Sequence, residues 1–216
     1  MRGLVGKMDI LLQQGTVLDL EMILPSYVDL FPEQERKTTS VLKTLLDSRD
    51  YILYKIVSEK YSAYMGFVLL LQLEDLSAIW LDFIGIDKTY QGYGIGSKVL
   101  DLLKNKYSRG YNGMYFEVEC LDENPDTARR IKFYEKFGAK DLKVDYTLPT
   151  QQGDLPMLLY YQPLSSEQLP SQKEVVELSH TIYSYECINV IYILYVNLVK
   201  LSFDPITKVK VSKQYI

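Results

Sequence analysis

The chain has 216 residues, 47% hydrophobic and 24% charged, with a net charge of −4, enough for one domain with a real core and room for an appendage. The acidic balance, with Lys and Arg dispersed along the chain, argues against nucleic acid as a partner. One histidine, His180, leaves no multi-histidine metal centre and disfavours a serine–histidine triad, and the spacing of Cys120 and Cys187 matches no metal or redox motif. Two unpaired thiols fit a reducing compartment, so a cytoplasmic location is expected. The opening stretch MRGLVGKMDILLQQG lacks the apolar core of a signal peptide. The apolar run 182–203 is interrupted by Glu186, Asn189, Asn197 and Lys200, so no membrane span is expected there.

In chain order, Met8 to Thr16 reads as a short strand. Leu18 to Leu30 has helical spacing through Leu18, Met22, Leu24 and Val28, and Ser40 to Leu46 is a second short helix. Tyr51 to Val57, Tyr61 to Leu73 and Ala78 to Ile86 read as successive strands, the first two joined at Ser58-Glu59-Lys60. Ser97 to Tyr107 is a helix with Val99, Leu100, Leu103 and Tyr107 inward. Met114 to Cys120 is a strand, and Thr127 to Phe137 a helix closed by Gly138. Tyr146 to Leu148 and Met157 to Tyr161 form a last strand pair around a turn region with Gly153. Residues 165–171, rich in Ser, Gln and Pro, read as a linker.

The stretch Ile79 to Leu103, IWLDFIGIDKTYQGYGIGSKVLDLL, places Gly92, Gly94 and Gly96 between a strand and a helix. The first amides of a helix lack intrahelical partners and its N-terminus is electropositive, so glycines here let a phosphate reach the backbone. A P-loop is absent. A dinucleotide fingerprint counted from Gly92 would need glycine where Ser97 stands, and Asp87 to Tyr90 intervene after the strand, although Glu117 lies near the expected ribose-binding acid.

The hexapeptide Gln91-Gly92-Tyr93-Gly94-Ile95-Gly96 resembles the [QR]-x-x-G-x-[GA] pyrophosphate loop of the GNAT superfamily of N-acetyltransferases. The resemblance covers about residues 8–164 and includes LDFIGID before the loop, ARRIKFYEKFGA after it, and the final strand pair. It implies an α+β fold, a bent mixed sheet of about seven strands with helices on both faces and a V-shaped opening between the fourth and fifth. Acetyl-CoA would lie in the opening, its pyrophosphate on the backbone of Gln91 to Ser97 and its pantetheine arm paired with Phe83, Ile84, Gly85 and Ile86. No metal is implied.

The resemblance gives Tyr134 the role of proton donor to the departing thiolate; the alternative is a packing tyrosine. It also makes the backbone N–H of Ile84 the oxyanion donor. Many relatives carry an asparagine seven residues before this tyrosine, where this chain has Thr127; Arg130 replaces an alanine, and Asn124 is three residues out of register. Either Asn124 or Asp126 could cap the helix. For the general base, strict alternation puts Trp80, Asp82, Ile84 and Ile86 on one face, leaving Asp82 partly desolvated. A buried acid there could instead be held by Arg129 or Arg130. Glu117 and Glu119 are second candidates, or simply a solvated strand face. Glu33 and Glu35, in LFPEQERKTTS between the first two helices, would draw a cationic amine.

The expected organisation is an acetyltransferase domain at 1–164, a linker at 165–171 and a helical extension at 172–216. The expected activity is direct acetyl transfer from acetyl-CoA to a primary amine of a small molecule or peptide. A non-catalytic acyl-CoA sensor and a nucleotide-dependent oxidoreductase are the rivals. The extension is read as one helix from Gln172 to Ser202. Ser179, Glu186, Asn189, Asn197 and Lys200 share a narrow arc, and the rest of the perimeter is apolar, so the helix must be largely buried. It can cover its own domain or pair with a second copy; the minimal domain closes its core unaided, which points to a homodimer. His180 and Cys187 are read as packing residues.

Overall fold

The computed structural model describes residues 9–120, 125–150 and 153–198. Asn124 and any continuation of the last helix past Leu198 lie outside them. The elements are β1 (Ile10–Gln14), α1 (Leu20–Leu30), α2 (Thr39–Leu46), β2 (Tyr51–Ser58), β3 (Tyr64–Leu73), β4 (Ala78–Ile86), α3 (Ile95–Tyr107), β5 (Gly113–Glu119), α4 (Pro125–Phe137), β6 (Lys140–Asp141), β7 (Tyr146–Thr150), β8 (Gly153–Pro163) and α5 (Gln172–Leu198). The expected mixed fold stands, with eight strands in the sheet. The strand missed from sequence is β6, two residues beside β8 that are too short to show a period.

The sheet order is β1-β2-β3-β4-β5-β8-β6, with β7 also on β8. Neighbours are antiparallel except β4 and β5, which are parallel. Each face carries its own core. Leu20, Ile23 and Tyr27 of α1, Val41, Leu42 and Leu45 of α2, and Val175, Leu178 and Ile182 of α5 cover one face. Val99, Leu100 and Leu103 of α3 and Tyr134 of α4 cover the other.

Local chemistry sets the helix ends. Thr38 caps α2 by accepting the Val41 N–H at 3.3 Å. Pro125 opens α4, where its missing N–H costs no hydrogen bond. Ser171 and Glu174 form a reciprocal cap on α5, the Glu174 N–H reaching the Ser171 hydroxyl at 3.3 Å and the Ser171 N–H reaching Glu174 Oε2 at 2.7 Å.

Strict alternation fails in β4. Leu69 of β3 faces Phe83 but Leu70 faces Leu81, so Asp82 has no opposite residue and forms a β-bulge. Trp80 and Phe83 therefore both belong to the core under α1, α2 and α5. Leu81, Ile84 and Ile86 pack on the α3 and α4 side. The expected shared face of Trp80, Asp82, Ile84 and Ile86 is corrected accordingly: the extra residue reverses the parity of everything after it.

Candidate active site

The sheet forks at its centre. β4 and β5 pair only at Ala78–Gly113, Ile79–Met114 and Trp80–Tyr115. Beyond that, β4 stays paired with β3 to Ile86, while β5 stays paired with β8 to Glu119. The backbone groups of Phe83 to Ile86 that point towards β5 thus lack a ladder partner in that strand. Such groups bind something else when buried, and an extended chain laid along them supplies what is needed.

The glycine turn lies at the open end of the fork. After Ile86, one helical turn at Lys88–Tyr90 is capped by Asp87, whose Oδ1 accepts the Thr89 N–H at 2.9 Å. Gln91 ties the loop back to β4 by donating from Nε2 to the Ile86 carbonyl at 2.9 Å. Gly92 and Gly94 have φ of +80° and +77°, a region that side chains disfavour, and a Cβ on either would meet no heavy atom within 4 Å. Gly94 is also the N-cap of α3, which begins at Ile95, two residues earlier than sequence spacing suggested. The first amides of α3 follow this turn, beside exposed Gln91, Tyr93 and Ser97, an arrangement suited to a phosphate. Gly96 differs, because a Cβ there would stand 3.2 Å from Phe133 Cζ.

Tyr134 projects from α4 to the same fork. Its ring packs on Phe116 of β5 and on Phe133, with centroids 4.5 Å and 5.0 Å apart, and it is 8% exposed. Burial pushes its hydroxyl up to about 12, Arg130 opposing and Glu119 reinforcing. It remains protonated at neutral pH and can donate to a developing anion. Thr127, seven residues before Tyr134, is buried on the same helix.

Asp82 lies on the opposite face. The bulge turns its carboxylate into a narrow pocket with Lys37 and Tyr51, walled by Trp80 and by Ile182 and Tyr185 of α5. Lys37 Nζ pairs with Asp82 Oδ1 at 2.9 Å, and the Tyr51 hydroxyl donates to Oδ2. The cation holding Asp82 is thus Lys37, not Arg129 or Arg130. Arg129 pairs with Asp126 at 3.2 Å, and Arg130 with Glu119. The sequence reading missed Lys37 and Tyr51. Lys37 sits in a charged loop and Tyr51 at a strand start, and only the fold reveals that both point inward.

Glu117 and Glu119 are half-buried on β5, while Glu33 of the α1–α2 loop is exposed. Glu35 from the same loop comes close enough to Glu119 and Arg130 to feel both charges. Burial first, and then the Glu119 charge, push its carboxyl up to about 7 against the opposing pull of Arg130. Arg130 is thus paired with Glu119, the charges of both reach Glu35 and Tyr134, and Asp82 is held separately with Lys37. Among the described residues, no group of His, Cys, Asp and Glu has the arrangement of a metal site.

Residues 50–138 match the family described as acetyltransferase (GNAT) domain. A Bacillus subtilis (strain 168) protein described as an acetyltransferase, YjbC, is 27% identical over 161 residues, covering 71% of this chain and 78% of its own. Among solved structures, an acetyltransferase assigned to the GNAT family from Bacteroides thetaiotaomicron has a TM-score of 0.68 at 18% identity, covering 82% of this chain and 96% of its own. The spermidine N-acetyltransferase SpeG of Vibrio cholerae has a TM-score of 0.56 at 14% identity, covering 72% and 94%. At such identities the two structures speak for the fold alone.

Proposed function

We propose that the chain is an N-acetyltransferase of the GNAT type, a reading supported by the family match over residues 50–138 and by the fold, and that it moves the acetyl group of acetyl-CoA directly to a primary amine of a small molecule or peptide. The observation that carries this reading is the fork between β4 and β5, with the glycine turn at its open end. Acetyl-CoA supplies an activated acyl group as a thioester. The amides from Gln91 to Ser97 hold its pyrophosphate, and the unpaired edge of Phe83 to Ile86 holds its arm. The N–H of Ile84, just past the bulge, faces the carbonyl oxygen, where charge develops during attack. Tyr134 donates to the leaving sulfur.

The acids Glu33, Glu35, Glu117 and Glu119 draw a cationic amine towards the fork. A similarly folded protein is a spermidine N-acetyltransferase, which agrees with an amine acceptor. Asp82 and Lys37 shape the wall of the acceptor pocket. The sequence of α5 beyond Tyr185 carries Ile188, Ile191, Tyr192 and Tyr195, which a twofold contact with a second subunit would cover. No described helix is long and apolar enough to cross a membrane.

Calorimetry with acetyl-CoA, CoA and NAD tests the binding site. A panel of polyamines, amino-acid amides and peptides, followed by released CoA thiol, tests transfer. Acetyl-CoA binding with no thiol release from any amine would favour a sensor; binding of NAD in place of acetyl-CoA would refute the reading.

A further inference from the structure

The α1–α2 loop holds Glu35 on a fixed backbone. The Glu35 N–H donates to the Pro32 carbonyl at 3.1 Å, and the Arg36 N–H to the Glu33 carbonyl at 3.2 Å. The Lys37 N–H donates to the buried Tyr27 hydroxyl at 2.7 Å. Both ends of this segment rest on one residue of β4. The Phe31 ring meets the Phe83 ring edge-on with centroids 4.9 Å apart, and the Lys37 ammonium stands 5.1 Å from the Phe83 centroid. Phe83 is the residue after the bulge, where β4 has already parted from β5. Glu35 is therefore anchored over the β4 arm of the fork, while its carboxyl interacts with Glu119 at the tip of β5 and with Arg130 of α4. The segment that carries it thus lies against β4 beside the opening between β4 and β5.

Two nearby acids are already engaged. Asp82 is held by Lys37 and Tyr51, and Glu119 is paired with Arg130. Among the described residues, the Glu35 carboxyl has neither a hydrogen bond nor an ion pair. We propose that Glu35 is the general base that takes the proton from the acceptor's ammonium group. The proposal rests on the acetyltransferase reading and assigns a step within it. The ammonium proton passes to a Glu35 oxygen, and the freed lone pair forms the C–N bond at the thioester carbonyl carbon. The C–S bond then breaks. The nitrogen sheds two protons in all, one to Glu35 and on to water, the other to sulfur by way of Tyr134.

Among the described residues, Glu119 and Arg130 are the charged groups set against Glu35 from other elements, and Glu33, Arg36 and Lys37 are its charged neighbours on the loop. Burial and the Glu119 charge leave the carboxyl near half ionisation at neutral pH, where a general base works best.

The test compares the full-length parent with Glu35→Gln in three readouts: acetyl-CoA affinity by calorimetry, the pH profile of kcat/KM for an accepted amine, and carbon-13 NMR titration of labelled glutamate carboxyls. Parent kcat/KM should rise with pH through about 7. Glu35→Gln should lose that limb and fall about 10²-fold in kcat, with acetyl-CoA affinity and fold unchanged. One carboxyl resonance titrating near neutrality should be missing from the variant. A variant that keeps both the limb and the rate overturns the proposal, as does a Glu35 resonance titrating in the ordinary carboxylate range. Failure of the parent to bind acetyl-CoA would instead sink the acetyltransferase reading itself.

Discussion

Asp82 and Lys37 have side chains 7% and 5% exposed, so their ion pair is withdrawn from water. Removing one partner leaves a buried charge uncompensated, at a cost of about 3–5 kcal/mol. Lys37→Met should therefore lower stability in urea unfolding by several kcal/mol, and adding Asp82→Leu should recover much of the loss. No recovery in the double variant would mean that the carboxylate is not held mainly by Lys37. Glu35 behaves in the opposite sense. Its folded pKa, raised to about 7, lies above that of an unfolded glutamate, about 4.3. Between those values the folded state binds more protons than the unfolded state, so this residue makes stability fall as pH rises. Glu35→Gln should thus gain stability over the parent at pH 8 and gain none at pH 4. An equal effect at both pH values would show that Glu35 titrates alike in the folded and unfolded chains.

At the level of elements, the turn ahead of α3 was legible because glycine needs a reason to recur at alternate positions. The reasons prove different. Gly94 has positive φ, and a side chain there would project into open space. Gly94→Val should strain the turn by about 1–2 kcal/mol and weaken acetyl-CoA binding at least tenfold. Gly96 has no such φ, and its Cβ would press on Phe133 of α4. Gly96→Val should therefore disturb α4, and with it Tyr134, and a paired Phe133→Leu change should restore part of the loss. Calorimetry with acetyl-CoA separates the two; equal rescue of both variants by Phe133→Leu would refute the distinction. The bulge at Asp82 was not legible. Side chains alternate with a period of two, and nothing in WLDFIGI marks the residue that breaks it; the break exists only in the register against β3. Strand and helix types were readable from periodicity, whereas the pairing partners Lys37 and Tyr51 depend on which loops the fold brings together.

At the scale of the whole molecule, α5 divides into two parts. From sequence, one thin polar arc ran the length of the helix. In the structure the first half is amphipathic on different positions: Val175, Leu178 and Ile182 are buried, while Lys173, Glu177, His180 and Ser184 are exposed. His180 is thus a surface residue and not a packing one. Of that arc only Ser179 has a described side chain, and it is half-buried; the spacing of the first half follows the bed formed by α2 and β7. That half is an intrachain brace. Its Tyr183 hydroxyl donates to the Thr147 carbonyl of β7 at 2.5 Å, and Ile182 and Tyr185 close the pocket around Asp82. Each large aliphatic side chain buried contributes about 1.5–3 kcal/mol, so losing Val175, Leu178 and Ile182 together would remove much of a typical domain's stability. Two truncations therefore separate the roles. A chain ending at residue 170 should be destabilised and prone to aggregate. One ending at Tyr185 should keep its fold and its acetyl-CoA affinity, yet run in light scattering at the mass of one chain if the segment beyond makes the subunit contact. Should the full-length protein also run as one chain, or the Tyr185 form keep the full-length stoichiometry, the contact between subunits does not lie in α5.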